Sequence, residues 1–182
     1  MRLFIAVNFT EGFKAALLDW QAKLKAFAEA QGAGKVNWSS PENLHLTLAF
    51  IGEYNDPDRV LAAMERVWAE QFELETGCGG RFGSLYWAGL ADGRPAVALS
   101  EAVRRELKKD GIPFDEKPMS PHITVARELK LRQLPSIPIP KAGMTAERFT
   151  LMKSERIGGR LTYTPLGSIG LTFTPADDPE QV

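Results

Sequence analysis

Two four-residue segments of this chain share one order of histidine, apolar residue, threonine and apolar residue. The first is His45-Leu46-Thr47-Leu48 and the second is His122-Ile123-Thr124-Val125. Successive side chains along a β-strand point to opposite faces. Each segment therefore predicts a strand with one apolar face for packing and a reverse face that carries an imidazole and a hydroxyl.

The two segments use every histidine in the chain, which also contains ten threonines among 182 residues. At this composition, and with positions treated as independent, such a coincidence is expected on the order of once in ten thousand. A single histidine in a strand is more often a hydrogen-bonded core residue than a catalyst, and threonine is common in strands. The duplication favours a functional pair over coincidence.

Apolar periodicity along the rest of the chain predicts an α+β fold. Three helices are expected: one from Phe13 with Thr10 as N-cap and a stop at Gly32, one opening at Pro57 with Trp68 on its apolar face, and one that Ser100 caps. Strands are predicted over residues 3–9, 36–38, 44–51, 72–76, 81–90, 95–99, 122–127, 147–154 and 161–173. The proline-rich segment 134–140 is expected to be an edge or a loop.

Each half of the chain holds a helix, several strands and one histidine segment. We therefore predict a bilobal fold of two mainly antiparallel sheets with helices on the outer faces, in which a pseudo-two-fold internal repeat surrounds a central cleft. Residues 1–182 are predicted to form a single bilobal domain, with the active-site cleft between the lobes. The polar, acidic stretch 175–182 is predicted to be a disordered tail.

The net charge and the cysteine content limit which partners the protein can bind and which cellular compartment it needs. The net charge of −1 lacks the basic excess of proteins that wrap long nucleic acids, so a nucleic-acid contact should be confined to one end of the strand or to a few nucleotides. No apolar run approaches the roughly 18 residues of a membrane helix. Cys78 is the only cysteine and cannot form an internal disulfide. We expect a cytoplasmic monomer with no membrane contact, whose first residues form a strand rather than a signal peptide.

The paired polar faces suit the opening of a cyclic phosphodiester. One imidazole can take a proton from the attacking water and the other can give one to the departing ribose oxygen, because its ordinary pKa of about 6.5 allows both roles near neutral pH. The hydroxyls of Thr47 and Thr124 can donate hydrogen bonds to the non-bridging phosphoryl oxygens. A zinc site of His45, His122 and Cys78 is the alternative, but no two of these residues have a familiar short spacing. Cys78, between glycines, is more simply a turn residue.

At these residues the chain resembles the two-histidine phosphoesterase superfamily, and within it the RNA 2′,3′-cyclic phosphodiesterases once named 2′-5′ RNA ligases. The resemblance includes the opening Met1-Arg2-Leu3-Phe4-Ile5-Ala6-Val7 and the stretch from Trp38 through Pro41-Glu42-Asn43-Leu44 to Phe50-Ile51-Gly52-Glu53. It also covers Pro121-His122-Ile123-Thr124-Val125-Ala126-Arg127 and Ser154-Glu155-Arg156.

The resemblance implies a bilobal fold and a site without metal or organic cofactor. It further implies that His45 donates a proton to the leaving 3′-oxygen and that His122 accepts one from water, which yields an RNA end with a 2′-phosphate. Spacing alone does not distinguish the two roles. Arg127 is an expected phosphate ligand by the same resemblance, although strand alternation puts it on the face opposite His122 and a surface salt bridge is the competing interpretation.

Other interpretations stay open at this point. Phe9 and Trp38 can stack on a base or pack in the core, and a solvated face is the default interpretation of the basic residues Arg104, Arg105, Lys108 and Lys109. The substrate can instead be ADP-ribose cyclic phosphate or a 2′-5′-linked oligonucleotide, and the reaction can instead be the ligation of cleaved tRNA halves. A non-catalytic module that binds RNA ends is the alternative from another class, although binding alone needs no pair of proton-transfer groups.

Overall fold

A computed structural model describes residues 1–132 and 135–173. In this part of the chain the helices are α1 (Glu11–Ala30), α2 (Pro57–Glu65) and α3 (Arg94–Lys109), with a 3₁₀ turn at Pro41–Asn43. The strands are β1 (Arg2–Asn8), β2 (Asn37–Trp38), β3 (His45–Glu53), β4 (Phe72–Phe82), β5 (Leu85–Leu90), β6 (Ile123–Arg127), β7 (Gly143–Ala146), β8 (Arg148–Ile157) and β9 (Arg160–Gly170).

The strands form two sheets whose neighbours pair antiparallel. The four-stranded sheet has the order β3-β1-β8-β9, and the five-stranded sheet has the order β2-β6-β5-β4-β7. Strand β3 carries the first histidine segment, and β6 carries the second. The predicted α+β fold with two antiparallel sheets is confirmed; the internal repeat, and with it the single bilobal domain, stays a prediction.

Most of the buried side chains belong to one cluster to which all three helices and both sheets contribute. A second, smaller cluster of Phe4, Ala6 and Met152 lies on the other face of the four-stranded sheet, with Phe50 and Tyr163 packed against it. Strand β1 is buried on both faces because Leu3, Ile5 and Val7 point into the large cluster while Phe4 and Ala6 point into the small one.

Helix α1 forms as its sequence predicts. The Thr10 hydroxyl accepts a hydrogen bond from the backbone N–H of Phe13, and Phe13, Leu17, Trp20 and Leu24 are buried at helical spacing. Gly32, just beyond the helix, has a φ of 67°, the left-handed conformation in which glycine carries no steric penalty.

The strand predicted over residues 95–99 and the cap at Ser100 are wrong, because α3 already begins at Arg94. Pro95 is tolerated in the first turn of a helix, where no intrahelical donor is lost, and Ala96, Leu99, Val103 and Leu107 are buried at helical spacing. Ser100 is fully buried instead, and its hydroxyl donates to the carbonyl oxygen of Leu48 in β3.

The prediction that Cys78 lies in a turn is also wrong, since β4 runs through it and the turn comes at Gly83 and Ser84. The flanking glycines make room for tryptophan rings. A Cβ on Gly79 would lie 2.5 Å from the ring of Trp20, and one on Gly80 would collide with the ring of Trp87. Glycine at these positions reflects packing rather than chain reversal.

Four further expectations concern helix α2, the proline-rich segment, the tail and membrane contact. Helix α2 ends at Glu65, so Trp68 does not complete its apolar face and is 71% exposed. Residues 135–140 form no strand or helix, as the prolines predict, while Leu134, the first residue of that segment, lies outside the described residues. The predicted tail 175–182 also lies outside them. No helix in the described ranges is long and apolar enough to span a bilayer.

Candidate active site

A cleft of about 560 Å³ is lined by residues of both sheets. His45 and Thr47 reach it from β3, while His122, Thr124 and Arg127 reach it from β6 and the residue just before that strand. All five residues predicted from the sequence as catalytic or phosphate-binding therefore line the same cleft.

The alternation of side chains along β3 places His45 and Thr47 in the cleft. In β3, Leu46 and Leu48 are fully buried in the large cluster, while His45 and Thr47 are only partly buried and face the cleft. His45 pairs with Asn8 across the sheet, at the end of β1. The same alternation in β6 buries Ile123 and Val125 and leaves Thr124 in the cleft.

The His45 ring is fixed at both nitrogens. Its Nδ1 lies 2.7 Å from the backbone carbonyl oxygen of Asn43, and its Nε2 lies 3.0 Å from the Thr47 hydroxyl oxygen. Because a carbonyl oxygen only accepts hydrogen bonds, Nδ1 carries the proton in the neutral ring, and the Thr47 hydroxyl donates to Nε2. The nitrogen that faces the cleft is therefore the one that can gain or lose a proton.

Apolar neighbours disfavour the charged form of His45. The rings of Phe4 and Tyr163 lie 4.9 Å and 5.1 Å from the imidazole, measured between ring centroids. Burial lowers the pKa of His45 to about 4, with smaller contributions in the same direction from the positive charges of Arg127 and His122. The bond to the Asn43 carbonyl opposes this shift. His45 is thus neutral at physiological pH in the free protein.

His122 repeats the backbone bond of His45 in a different setting. Its Nδ1 lies 2.7 Å from the carbonyl oxygen of Ser120, again two residues earlier in the chain. Phe82 and Trp87 contact the ring at centroid distances of 5.3 Å and 6.5 Å. Within the described part of the chain, no group bonds to its Nε2, so this nitrogen is open to a bound molecule.

A β-bulge explains why Arg127 faces the cleft against simple alternation. Tyr86 pairs with Ala126, but the next residue of β5, Trp87, pairs with Thr124, so Val125 is an extra residue in β6. An extra residue reverses the alternation beyond it. Ala126 therefore points into the core, and Arg127 shares the cleft face with Thr124. Within the described ranges, no carboxylate forms a salt bridge with Arg127, so the structure does not favour that interpretation.

Side-chain hydrogen bonds from Gln21 and Ser39 hold β6 in place. The Ser39 hydroxyl donates to the carbonyl oxygen of Thr124 at 2.8 Å, and the Gln21 side-chain amide donates to the carbonyl oxygens of Ser39 and Val125 at 2.8 Å each. These bonds connect α1 and the segment after β2 to the strand that carries Thr124. The chain then crosses through the 3₁₀ turn to His45, so one short segment links both histidine strands.

Sequence reasoning missed several residues of the site. Tyr163 packs on His45, and Arg156 and Arg160 line the cleft from the tip of the β8–β9 hairpin. The hairpin turns at Gly158 and Gly159, both with positive φ, and two adjacent glycines between strands are a recognised turn signal. The two glycines predict the hairpin, but no local sequence pattern predicts that the tip of the hairpin lines the cleft.

The competing interpretations are partly decided. Phe9 is buried in the large cluster and does not line the cleft, whereas Trp38 lines the cleft while also packing on that cluster. Cys78 lines a different cavity, with Trp20 and Tyr86, and neither histidine is among the described residues that line it. In the described ranges, no three His, Cys, Asp or Glu side chains are grouped as metal ligands. Absence of a metal requirement stays a prediction.

The basic residues of α3 lie on a separate surface groove beside Phe114. Two of them, Arg105 and Lys109, form ion pairs with Glu106, which also pairs with Arg66. Arg105, Lys108 and Lys109 are exposed, as predicted for a solvated face. Arg104 departs from that prediction, since it is partly buried and donates a hydrogen bond to the carbonyl oxygen of Lys117.

Comparison with known proteins agrees with the resemblance inferred from the tetrapeptides. The model of the 2′-5′ RNA ligase superfamily matches residues 20–157. The RNA 2′,3′-cyclic phosphodiesterase of Escherichia coli (strain K12) is 28% identical over 94% of this chain and 97% of its own length. The protein of the same name from Thermus thermophilus is 32% identical over 94% of this chain and 90% of its own length.

Solved structures match as well. E. coli LigT complexed with ATP has a TM-score of 0.77 at 27% identity, covering 94% of this chain and 98% of that chain. E. coli LigT complexed with 3′-AMP has a TM-score of 0.75 with the same identity, covering 94% and 97%. The matches in sequence and in fold extend over nearly the whole molecule, and the chain belongs to the 2′-5′ RNA ligase superfamily.

Proposed function

We propose that this protein hydrolyses the 2′,3′-cyclic phosphate at an RNA end and leaves a 2′-phosphate, with His45 as proton donor and His122 as proton acceptor. The observation that carries the proposal is the meeting of both imidazoles in one cleft, each with its Nδ1 bonded to a backbone carbonyl and its Nε2 available for proton transfer. The names of the relatives, RNA 2′,3′-cyclic phosphodiesterases, support the substrate class.

In the proposed reaction, water attacks phosphorus while His122 Nε2 takes one of its protons. The bond between phosphorus and the ribose 3′-oxygen breaks, and this oxygen receives a proton from His45 Nε2. The product has one phosphomonoester at the 2′-oxygen and a free 3′-hydroxyl. His122 then holds the extra proton and His45 lacks one, so proton exchange with solvent restores the starting state. Each such transfer typically contributes roughly 10²–10⁴ in rate.

The low pKa of His45 has a direct consequence for its role as acid. With a pKa of about 4, only about one molecule in a thousand carries the proton at pH 7. An anionic phosphate bound beside the ring stabilises its charged form and raises the pKa. We therefore propose that substrate binding itself protonates His45, so that the acid is available when the substrate is bound.

Thr47, Thr124 and Arg127 are the proposed ligands of the scissile phosphate. The Thr47 hydroxyl, which donates to His45 Nε2 in the free protein, is released to donate to the phosphate when that nitrogen is protonated. The hydroxyl of Thr124 bonds to no other group in the described part of the chain, and Arg127 is exposed in the cleft close enough to influence His45. Hydroxyl and guanidinium donors can hold the non-bridging oxygens, where negative charge accumulates in the transition state. The reaction as proposed uses no metal and no organic cofactor.

A single assay tests the proposal. An oligonucleotide that ends in a 2′,3′-cyclic phosphate is incubated with the protein in EDTA, and the product is digested to nucleotides and separated. We expect turnover with the phosphate retained on the 2′-oxygen. A 3′-phosphate product would reject the proposed direction of opening, and a strict requirement for added metal would reject the mechanism. Tight binding of the RNA without product would instead indicate a non-catalytic module.

We also propose that the protein acts in the cytoplasm as a monomer. The single cysteine requires no oxidising compartment, and one chain supplies both histidines of the cleft. Sedimentation during turnover should show the active species at the monomer mass of 20.1 kDa; activity confined to a larger species would contradict the monomer.

A further inference from the structure

The cleft contains more positive charge than one scissile phosphate needs. Arg127, Arg156 and Arg160 line it, against a single carboxylate, that of Glu42, among the described lining residues. The whole chain has a net charge of −1, so this concentration of arginine is local. A cyclic mononucleotide carries one phosphate, and the proposed site already assigns it Arg127.

The two additional arginines lie together on the β8–β9 hairpin. Arg156 pairs with Leu161 across the hairpin, and Ser154 pairs with Tyr163. Because cross-strand partners and alternate residues share a face, Arg156 lies on the same face as Tyr163, which contacts His45. Arg160 begins β9 beside the two-glycine turn and also reaches the cleft.

The guanidinium groups retain most of their hydrogen-bonding capacity. Arg156 donates one bond, from Nη1 to the carbonyl oxygen of Gly159 at 3.1 Å. Within the described ranges, neither Arg156 nor Arg160 forms a salt bridge, and both side chains are exposed. A guanidinium has five N–H donors arranged in a fork that matches phosphate oxygens.

The hairpin is fixed relative to the catalytic strand. The Asn43 side-chain amide donates to the carbonyl oxygen of Leu161 at 2.9 Å, while the Asn43 carbonyl oxygen holds the ring of His45. One residue thus sets the position of both the imidazole and the hairpin tip. Such a rigid link is expected if the arginines read a second group at a defined distance from the reacting phosphorus.

We infer that Arg156 and Arg160 bind the phosphodiester that joins the terminal nucleotide of the RNA to the nucleotide before it. This inference rests on the proposed function and makes it more specific: the preferred substrate is an RNA strand end rather than a free cyclic mononucleotide. The contact is made to the backbone, so it adds affinity for a strand without selecting a base.

The test compares three substrates: a cyclic mononucleotide, a dinucleotide with a terminal cyclic phosphate, and the same dinucleotide with an uncharged methylphosphonate at its internal linkage. Wild-type protein should turn over the charged dinucleotide with a kcat/KM about tenfold above that of the other two. The variant Arg156→Gln/Arg160→Gln should lose that advantage and act on all three substrates alike. For the charged dinucleotide, we also expect the slope of log kcat/KM against log salt concentration to be shallower in this variant by about one unit.

The matched control is Arg105→Gln/Arg148→Gln, which removes the same charge from exposed positions that do not line the cleft. It should behave as wild type. An equal loss on the mononucleotide in the hairpin variant, or no loss on any substrate, would overturn the inference. Absence of wild-type turnover on all three would instead reject the proposed function itself.

Discussion

The Nδ1 atom of His45 lies 2.7 Å from the backbone carbonyl oxygen of Asn43, and His122 makes a bond of the same length to the carbonyl oxygen of Ser120. The two catalytic candidates thus reach the cleft from different sheets with the same ring nitrogen bonded to the backbone. Because the acceptors are backbone carbonyl oxygens, substituting the side chain of Asn43 or Ser120 does not remove them. The fold of the backbone therefore sets the orientation of each ring.

These bonds predict the tautomer of both histidines. In the neutral form of each ring the proton should reside on Nδ1, because the carbonyl accepts it, and Nε2 should be unprotonated. Long-range ¹H–¹⁵N NMR distinguishes the two tautomers, and only two imidazoles contribute signals. A predominance of the Nε2-protonated form in either ring would contradict the geometry described.

The lowered pKa of His45 predicts an acid sensitivity of the fold. Its folded pKa of about 4 lies below the ordinary 6.5, so above pH 6.5 the ring is neutral in both states and has no effect. As the pH falls from 6.5 to 4, the unfolded chain binds a proton that the folded chain excludes, which costs on the order of 3 kcal/mol of stability.

Glutamine cannot titrate, so His45→Gln should lack that cost. Urea unfolding at pH 7 and pH 4 should show that the wild-type protein loses more stability than the variant over this interval. Equal losses would mean that the pKa of His45 is not depressed. The C2–H signal of His45 gives an independent check, since its titration midpoint should lie near pH 4.

The proposed roles predict opposite responses to a better leaving group. In a cyclic substrate whose 3′ bridging oxygen is replaced by sulfur, the departing thiolate needs no proton, so an acid contributes little. His45→Ala should recover most of the wild-type rate on this substrate, while His122→Ala should stay impaired. If His122→Ala recovered and His45→Ala stayed impaired, His122 would be the proton donor and His45 the acceptor. A bell-shaped pH profile does not show which histidine is the acid, because the profile has the same shape when the two histidines exchange their protonation states.

Thr124 should act on the transition state rather than on binding. Valine has a similar shape without the hydroxyl, so Thr124→Val should lower kcat about ten- to hundredfold with little change in KM. Thr124→Ser keeps a hydroxyl and should restore most of the rate. A rise in KM alone, with kcat unchanged, would mean that the hydroxyl serves ground-state binding.

The sequence pattern predicted which residues line the cleft better than it predicted the surrounding elements. Alternation in the two histidine segments correctly predicted which side chains leave the core, because that period is local to a strand. The orientation of Arg127 required a bulge at Val125, which depends on how β5 and β6 pair and leaves no trace in the local pattern. Likewise, the glycines beside Cys78 suggested a turn, because the packing that requires them is not visible locally. Gly79 makes room for Trp20 of the distant helix α1, and Gly80 makes room for Trp87, its partner on the next strand.

The most direct test of the central claim is the turnover of a cyclic-phosphate-ended oligonucleotide by wild type, His45→Ala, His122→Ala and the double variant, with folding of each verified by circular dichroism. If both imidazoles serve one phosphorus as a unit, each single variant should lose roughly 10²–10⁴ in kcat. The double variant should then lose far less than the product of the two single losses. Near wild-type turnover in either single variant would contradict the account.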